Sequence, residues 1–513
     1  MQTLNRRVLG IGLVTALVLV VLPATSASAA TAVVGTACSK VGAKAAGVSL
    51  KKKVALKKKK VTLTCKEASG QLVWTDTRVV NLSVIANAIK GGKNSSNAIW
   101  LQDYVIPNYT SDAALRGYTV RVKFTGQGVA DEAYKSGIAL DLKAKIGADI
   151  MNIDGIWVGE FADAGYIKPL VKVVGPSFAK WEGWSQVNTA VQDLMSYNGV
   201  RYGIPQGTDG RILYFNKKIF AAAGLPVDWQ PTSWADILAA AKKIKDSGQD
   251  GVVPIQMNAG TQMGEATTMQ AALPLLVGTG ERIYDPATKK WAGNTAGIRK
   301  VLQFYADVYG SNGYGNTTWQ LTATGRDDSF QGFADGKVGI LGEGDYGWRG
   351  VWNPVSGNHK MATRNIDIGF AKIPAITPGA GIRKQNFVSM SGGGGYVINP
   401  ATKNAAMTWD LLAFMNNRES IQASLNGSVK ISQRNDVNNY ITSANGDLCI
   451  AFIVKNVMPL TAYRPGLADY PAVSTELQKA TEAIINGTSV TAAAAAYGTA
   501  VAAIVGAGNV KNN

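Results

Sequence analysis

Apolar residues recur along the chain with different spacings, and each spacing predicts a different element. Ile212-Leu213-Tyr214-Phe215 is a short unbroken apolar run, the pattern of a buried strand. It leads into a short helix that stops at Gly224, a residue free to adopt the left-handed conformation. From Ser233 to Ser247, Trp234, Ile237, Leu238, Ala241 and Ile244 form one helical stripe, with Lys242, Lys243 and Lys245 on the wet side. Ser233 is placed to cap that helix and Asp236 to sit near its positive end. Near the start of the chain, Val48, Leu50, Val54, Leu56, Val61 and Leu63 are separated by lysine runs, which predicts short strands with one wet face. The apolar run Val8 to Leu22 is short for a membrane span. With Arg6-Arg7 before it and Ala27-Ser28-Ala29 after it, residues 1–30 are expected to be a secretory signal peptide.

A chain of 513 residues with 46% hydrophobic content can bury more than one core, so at least two lobes are expected. The net charge of +17 changes that picture only locally. Lys40 to Lys66 holds ten lysines and no carboxylate, Arg6-Arg7 add two charges, and the remaining five are spread over the rest. One small module is therefore basic while the lobes are near neutral. Its lysines suit either a solvated spacer or adhesion to an anionic cell wall or lipid surface through Lys51–Lys60. Nucleic acid is excluded as a partner by export and by the lack of interleaved aromatic residues. Export also favours a disulfide between Cys38 and Cys65, which leaves Cys449 as a small buried hydrophobe. Cys38 is the only candidate for a lipid anchor, and Gly35-Thr36-Ala37 is a poor context for one.

Enzymatic chemistry has few residues to draw on. The single histidine, His359, rules out zinc catalysis with two or three histidines, and neither G-x-S-x-G nor H-E-x-x-H occurs. A secreted carbohydrate-active enzyme with paired carboxylates is the remaining catalytic alternative. Ser391-Gly392-Gly393-Gly394-Gly395 lacks the Gly-Lys-Ser/Thr of a phosphate loop and fits a flexible strand entry instead.

Residues 197–234, YNGVRYGIPQGTDGRILYFNKKIFAAAGLPVDWQPTSW, resemble the extracellular solute-binding proteins of ABC importers, in the large family that handles sugars. Further matches are Ala148 to Asp154, Phe330 to Ile340, Ser391 to Ile398 and Tyr463-Arg464-Pro465, so the resemblance runs from Leu82 to Val505. The Lys-rich segment ahead of it is similar to those in some actinobacterial secreted proteins. The resemblance implies an α/β chain with the two-lobed, class II periplasmic-binding-protein fold, hinged and preceded by a small basic, β-rich module. The expected divisions are a disulfide-closed module at 31–77, one lobe from 81–208 and 391–430, and a second from 209–390 and 431–513.

Family position also implies a ligand set. Asp209 lies at the crossing between lobes with Arg211 beside it, Asp154 and Trp157 follow a first-lobe strand, and Asn87 and Lys90 occupy the first loop. Glu343, Asp345, Tyr346 and Trp348 follow a second-lobe strand, where the family often stacks a tryptophan on the sugar; Tyr463 and Arg464 complete the set. Trp74, Trp181, Trp229, Trp234 and Trp291 are assigned to packing. Aromatic planes and fixed polar groups suit a neutral sugar or oligosaccharide. A polyamine, metal or peptide cargo on the same fold, and a wall-associated sugar receptor without transport, are the alternatives. The implied partner is a membrane permease; no cofactor or metal is called for, and a monomer is expected.

Overall fold

The strand Arg211–Asn216 shows why an unbroken apolar run is needed here. Its side chains alternate between two cores, Leu213 and Phe215 on one face, Ile212 and Tyr214 on the other. It is one of the two inner strands of a four-stranded sheet with Val338–Gly344, Val253–Met257 and Ile368–Ala371. In this computed structural model the described residues are 32–48, 60–68, 70–129, 131–425, 430–445 and 447–512. The signal-peptide expectation and most of the Lys51–Lys60 segment fall outside them. Among the described residues no helix is long and apolar enough to cross a membrane.

Local signals translate directly into the second lobe. The helix Trp234–Asp246 begins with a full capping box: Asp236 N–H donates to the Ser233 hydroxyl, and the Asp236 carboxylate takes the Ser233 N–H at 3.0 Å. The helix Lys217–Ala222 ends ahead of Gly224, at φ +65°. Trp234, Ile237 and Ile244 share the larger of the two cores with Leu302 and Phe304 of the helix Ala296–Tyr309, and Trp234 packs edge-on to Phe304.

The first lobe is built on one sheet. Its order is Ala32–Val33, Lys44–Val48, Lys60–Ala68, Gln71–Ala86, Ile150–Asp154, Gly394–Ile398 and Gly203–Gln206, with Tyr118–Gly126 also paired to Gln71–Ala86. The basic module is thus sewn into the lobe. Gln71–Ala86 pairs antiparallel with Lys60–Ala68 through its first half, then parallel with Tyr118–Gly126 through its second. The register shifts between Asp76 and Val79, where the strand changes partners. The expected boundary between residues 77 and 81 therefore lies inside one continuous strand. Cys38 and Cys65 form a disulfide with Cα atoms 5.9 Å apart, and Cys449 is a buried free thiol.

Two connections carry strands between the lobes. Gly203–Gln206 runs on to Arg211–Asn216, and Phe387–Ser391 returns to Gly394–Ile398. Gly394 and Gly395 sit in the sheet with no room for side chains, because a Cβ would strike the carbonyl oxygens of Ile153 and Ile204. Gly393, at φ +129°, makes the turn into that strand. After the helix Arg418–Ser424 the chain leaves the first lobe, and Asn435–Asn445 buries Val437 and Ile441 in the second.

Candidate functional site

Strand ends of the first lobe, the two connections and the segment after residue 430 surround a cleft of about 680 Å³. Open α/β sheets place ligands beyond the carboxyl ends of their strands, and this cleft obeys that rule. Ile150–Asp154 ends with Asp154 in the wall, its carboxylate accepting the Ile156 N–H at 3.1 Å. Burial raises the Asp154 pKa, and the nearby Arg464 only partly opposes that. Trp157 lies in the next turn, 7% exposed, packed on Tyr134 and Phe161 with an edge in the cleft.

Asp209 does two jobs at the crossing. It lines the cleft, and its carboxylate ties the connections together by taking the Gly392 N–H at 2.6 Å and pairing with Arg211. The Ser391 hydroxyl also donates to the Asp209 carbonyl. Arg211 does not reach the cleft wall; it is buried, with Nε donating to Gln270 at 3.0 Å. Tyr463 and Arg464 stand on a separate cavity of about 230 Å³. The Tyr463 hydroxyl shares a 3.0 Å hydrogen bond with Thr208, and Arg464 pairs with Glu265, which also takes the Tyr470 and Ser474 hydroxyls.

The segment after Val338–Gly344 departs most from expectation. Trp348 is completely buried: its indole N–H donates to Asp447 at 3.0 Å, Arg364 lies 4.2 Å over its ring and Phe370 packs edge-on. It is core, not a stacking platform. Glu343 is 1% exposed and held by both forks of Arg326, at 2.7 and 3.0 Å, with Asn258 donating as well. Asp345 is buried beneath Arg349. Tyr346 is 46% exposed but outside the cleft wall, under the guanidinium of Arg349. The residue from this segment that reaches the cleft is Arg349, which sequence reasoning missed.

The loop Asn87 to Lys93 shows a similar displacement. Asn87 lines the cleft, but its amide is engaged with Val129 and Asp131, fixing the neighbouring loop. Lys90 points away and pairs with Asp103 at 2.6 Å; Lys93 faces the cleft, paired with Asp131 at 2.7 Å. Trp100, Tyr134, Lys430 and Gln433 also line the cleft without having been singled out. Trp100 carries no distinguishing local signal, since helix stripes and cleft edges use the same residue type. Gln433 accepts the Gly207 N–H at 3.0 Å, joining the third passage to the first.

The wall therefore combines three aromatic edges with many polar groups, most of them already oriented by protein partners. Such a surface can hold a polyhydroxylated solute by fixed donors and acceptors against apolar patches. The chain resembles known proteins at two levels. Over 279 residues the chain is 25% identical to a putative binding protein of Brucella abortus (strain 2308), covering 54% of this chain and 60% of that protein. The chain thus spans about three fifths of that relative. It is 33% identical over 129 residues to the sn-glycerol-3-phosphate-binding periplasmic protein UgpB of Agrobacterium fabrum, 24% of this chain and 28% of that one.

Solved structures agree over much more of the chain, at identities that speak to fold alone. The sugar-binding protein MalE of Xanthomonas citri matches with a TM-score of 0.65 at 17% identity, covering 83% of this chain and 97% of that one. The cyclic α-maltosyl-1,6-maltose binding protein of Arthrobacter globiformis matches with a TM-score of 0.63 at 20% identity, covering 84% and 100%. Residues 94–421, more than half of the sequence, match the bacterial extracellular solute-binding proteins, and the chain belongs to that family.

Proposed function

We propose that this is the exported substrate-binding component of an ABC importer, which captures a sugar or oligosaccharide between its lobes and presents it to a membrane permease. The family and fold are those of extracytoplasmic binding proteins, not of enzymes. The observation that carries the sugar reading is the cleft of about 680 Å³, where Trp100, Tyr134 and Trp157 supply apolar edges among polar side chains. The neighbours named as a sugar-binding protein and as a cyclic α-maltosyl-1,6-maltose binding protein support the same class. The relative named for sn-glycerol 3-phosphate extends the candidates to small polyols that carry a phosphate.

Two connections that tie the lobes through Asp209 form a natural hinge, and closure on the solute would create the shape a permease distinguishes. Native mass spectrometry after incubation with a mixed mono- and oligosaccharide pool tests the reading. One intact sugar retained supports it; cleaved products in the pool, or nothing retained, refutes it. The lysines between 51 and 60 serve in this proposal as an electrostatic tether to an anionic wall or lipid surface. Replacing Lys51–Lys53 and Lys57–Lys60 by Gln should then release protein into the medium without changing sugar affinity, and equal retention removes the tether.

A further inference from the structure

Charge in the cleft is distributed unevenly. Lys93 has Asp131, and at the crossing Arg211 has Asp209. Arg349 is hydrogen-bonded to the buried Asp345 through Nε, at 2.8 Å, and its two terminal nitrogens make no hydrogen bond among the described residues. Lys430 has no hydrogen bond or ion pair among the described residues, although it is half-buried and lines the same cleft. Asp209, Asp345, Arg211 and Arg349 act on one another electrostatically, and Arg349 acts on Lys430. Within this group three cations thus share two carboxylates, and the surplus charge rests on the Lys430 ammonium; the other carboxylate of the wall, Asp154, interacts with Arg464 instead.

A partly buried ammonium without a counter-ion loses hydration and gains nothing in return. Burial and the neighbouring Arg349 accordingly push the Lys430 pKa down. An anion delivered by the ligand would restore the balance, with the ammonium as a point charge and the guanidinium edge as a planar double donor. We propose that Lys430 and the free edge of Arg349 form an anion subsite within the cleft, so that the preferred cargo is a sugar or polyol carrying a carboxylate or phosphate group.

This rests on the polyol reading of the cleft and narrows it to acidic members. The test is isothermal titration of the full secreted chain with glucose, glucuronate, glucose 6-phosphate, glycerol and glycerol 3-phosphate. At least one anionic compound should bind about tenfold or more tightly than its neutral counterpart. That ratio should collapse in Lys430→Gln and persist in Lys430→Arg, with circular dichroism confirming that both are folded. Preference for glucuronate would identify a carboxylate as the source, and preference for the phosphates a phosphate ester. Neutral compounds binding as well as their anionic partners, or a ratio unchanged in Lys430→Gln, overturns the subsite and leaves the sugar reading standing. Failure of every compound overturns the subsite, and failure of the mono- and oligosaccharide pool as well overturns both readings.

Discussion

Asp209→Ala is the substitution from which the crossing can learn most. In the native protein the Asp209 side chain is 28% exposed and its partner Arg211 only 8%. Truncation removes the counter-ion from a buried guanidinium, which is left with the neutral acceptors Gln270 and the Met390 carbonyl. It also orphans the Gly392 N–H, now bonded at 2.6 Å. Breaking a fully buried ion pair from one side costs about 3–5 kcal/mol. Because water reaches Asp209 from the cleft, we expect somewhat less, about 2–4 kcal/mol.

Arg211→Met should cost less, about 1–2 kcal/mol, since the stranded carboxylate is partly hydrated and keeps the Gly392 N–H. The double variant should be more stable than the sum of the single losses implies, with a coupling of about 1–3 kcal/mol. Urea unfolding followed by tryptophan fluorescence on all four proteins of the cycle measures this. An Asp209→Ala loss below about 0.5 kcal/mol, or additivity within about that margin, would refute the account of Asp209 as the clamp of the crossing.

Three further outcomes follow from the same geometry. Trp348→Ala should cost about 3–5 kcal/mol as a core cavity, whereas Trp348→Phe, if folded, should leave ligand affinity within about twofold because the ring never meets the cleft; a Phe variant that folds but loses binding contradicts this. Burial raises the folded pKa of Asp154 above its usual value of 3.8. The stability due to its neutral form is then fully present below that value and lost as the pH rises through the higher folded one. Asp154→Asn should therefore gain stability relative to the native chain at pH 7 and lose that gain at pH 3.5, while ligand affinity falls about tenfold through loss of a charged acceptor; equal thermal shifts at both pH values contradict the assignment. Removing the Cys38–Cys65 link, which closes a separation of 27 residues, should destabilise the module by about 3–4 kcal/mol on loop-closure grounds. Hydrogen exchange should quicken in Lys60–Ala68 and the first half of Gln71–Ala86, and unchanged exchange there argues against it.

Trp348, Lys430 and Asp209 show where sequence reasoning stops. A tryptophan just after a second-lobe strand is compatible with stacking on a ligand or with filling a core. The choice here is made by Asp447, 99 positions away, and by Arg364, which together close the pocket around the indole. Asp209 was legible as a crossing residue, but its attachment to Gly392 depends on a turn between strands 183 positions later. Lys430 carried no signal, because an unpaired charge is defined by what all its spatial neighbours do. Lys90 and Lys93 differ by three residues in one loop, and only the path of that loop decides which of them faces the cleft.

What the sequence by itself determined is what neighbouring residues can settle among themselves. The buried strand Arg211–Asn216, the Ser233 capping box, the stop at Gly224 and the stripe of Trp234–Asp246 need only apolar alternation, a capping hydroxyl or a glycine. The ordered motifs then identified the two-lobed family. The tertiary structure alone decided that the basic module and the first lobe share the strand Gln71–Ala86, and which side chains enter the cleft. Those outcomes depend on sheet register and on contacts between residues tens to hundreds of positions apart, whose geometry no local pattern contains.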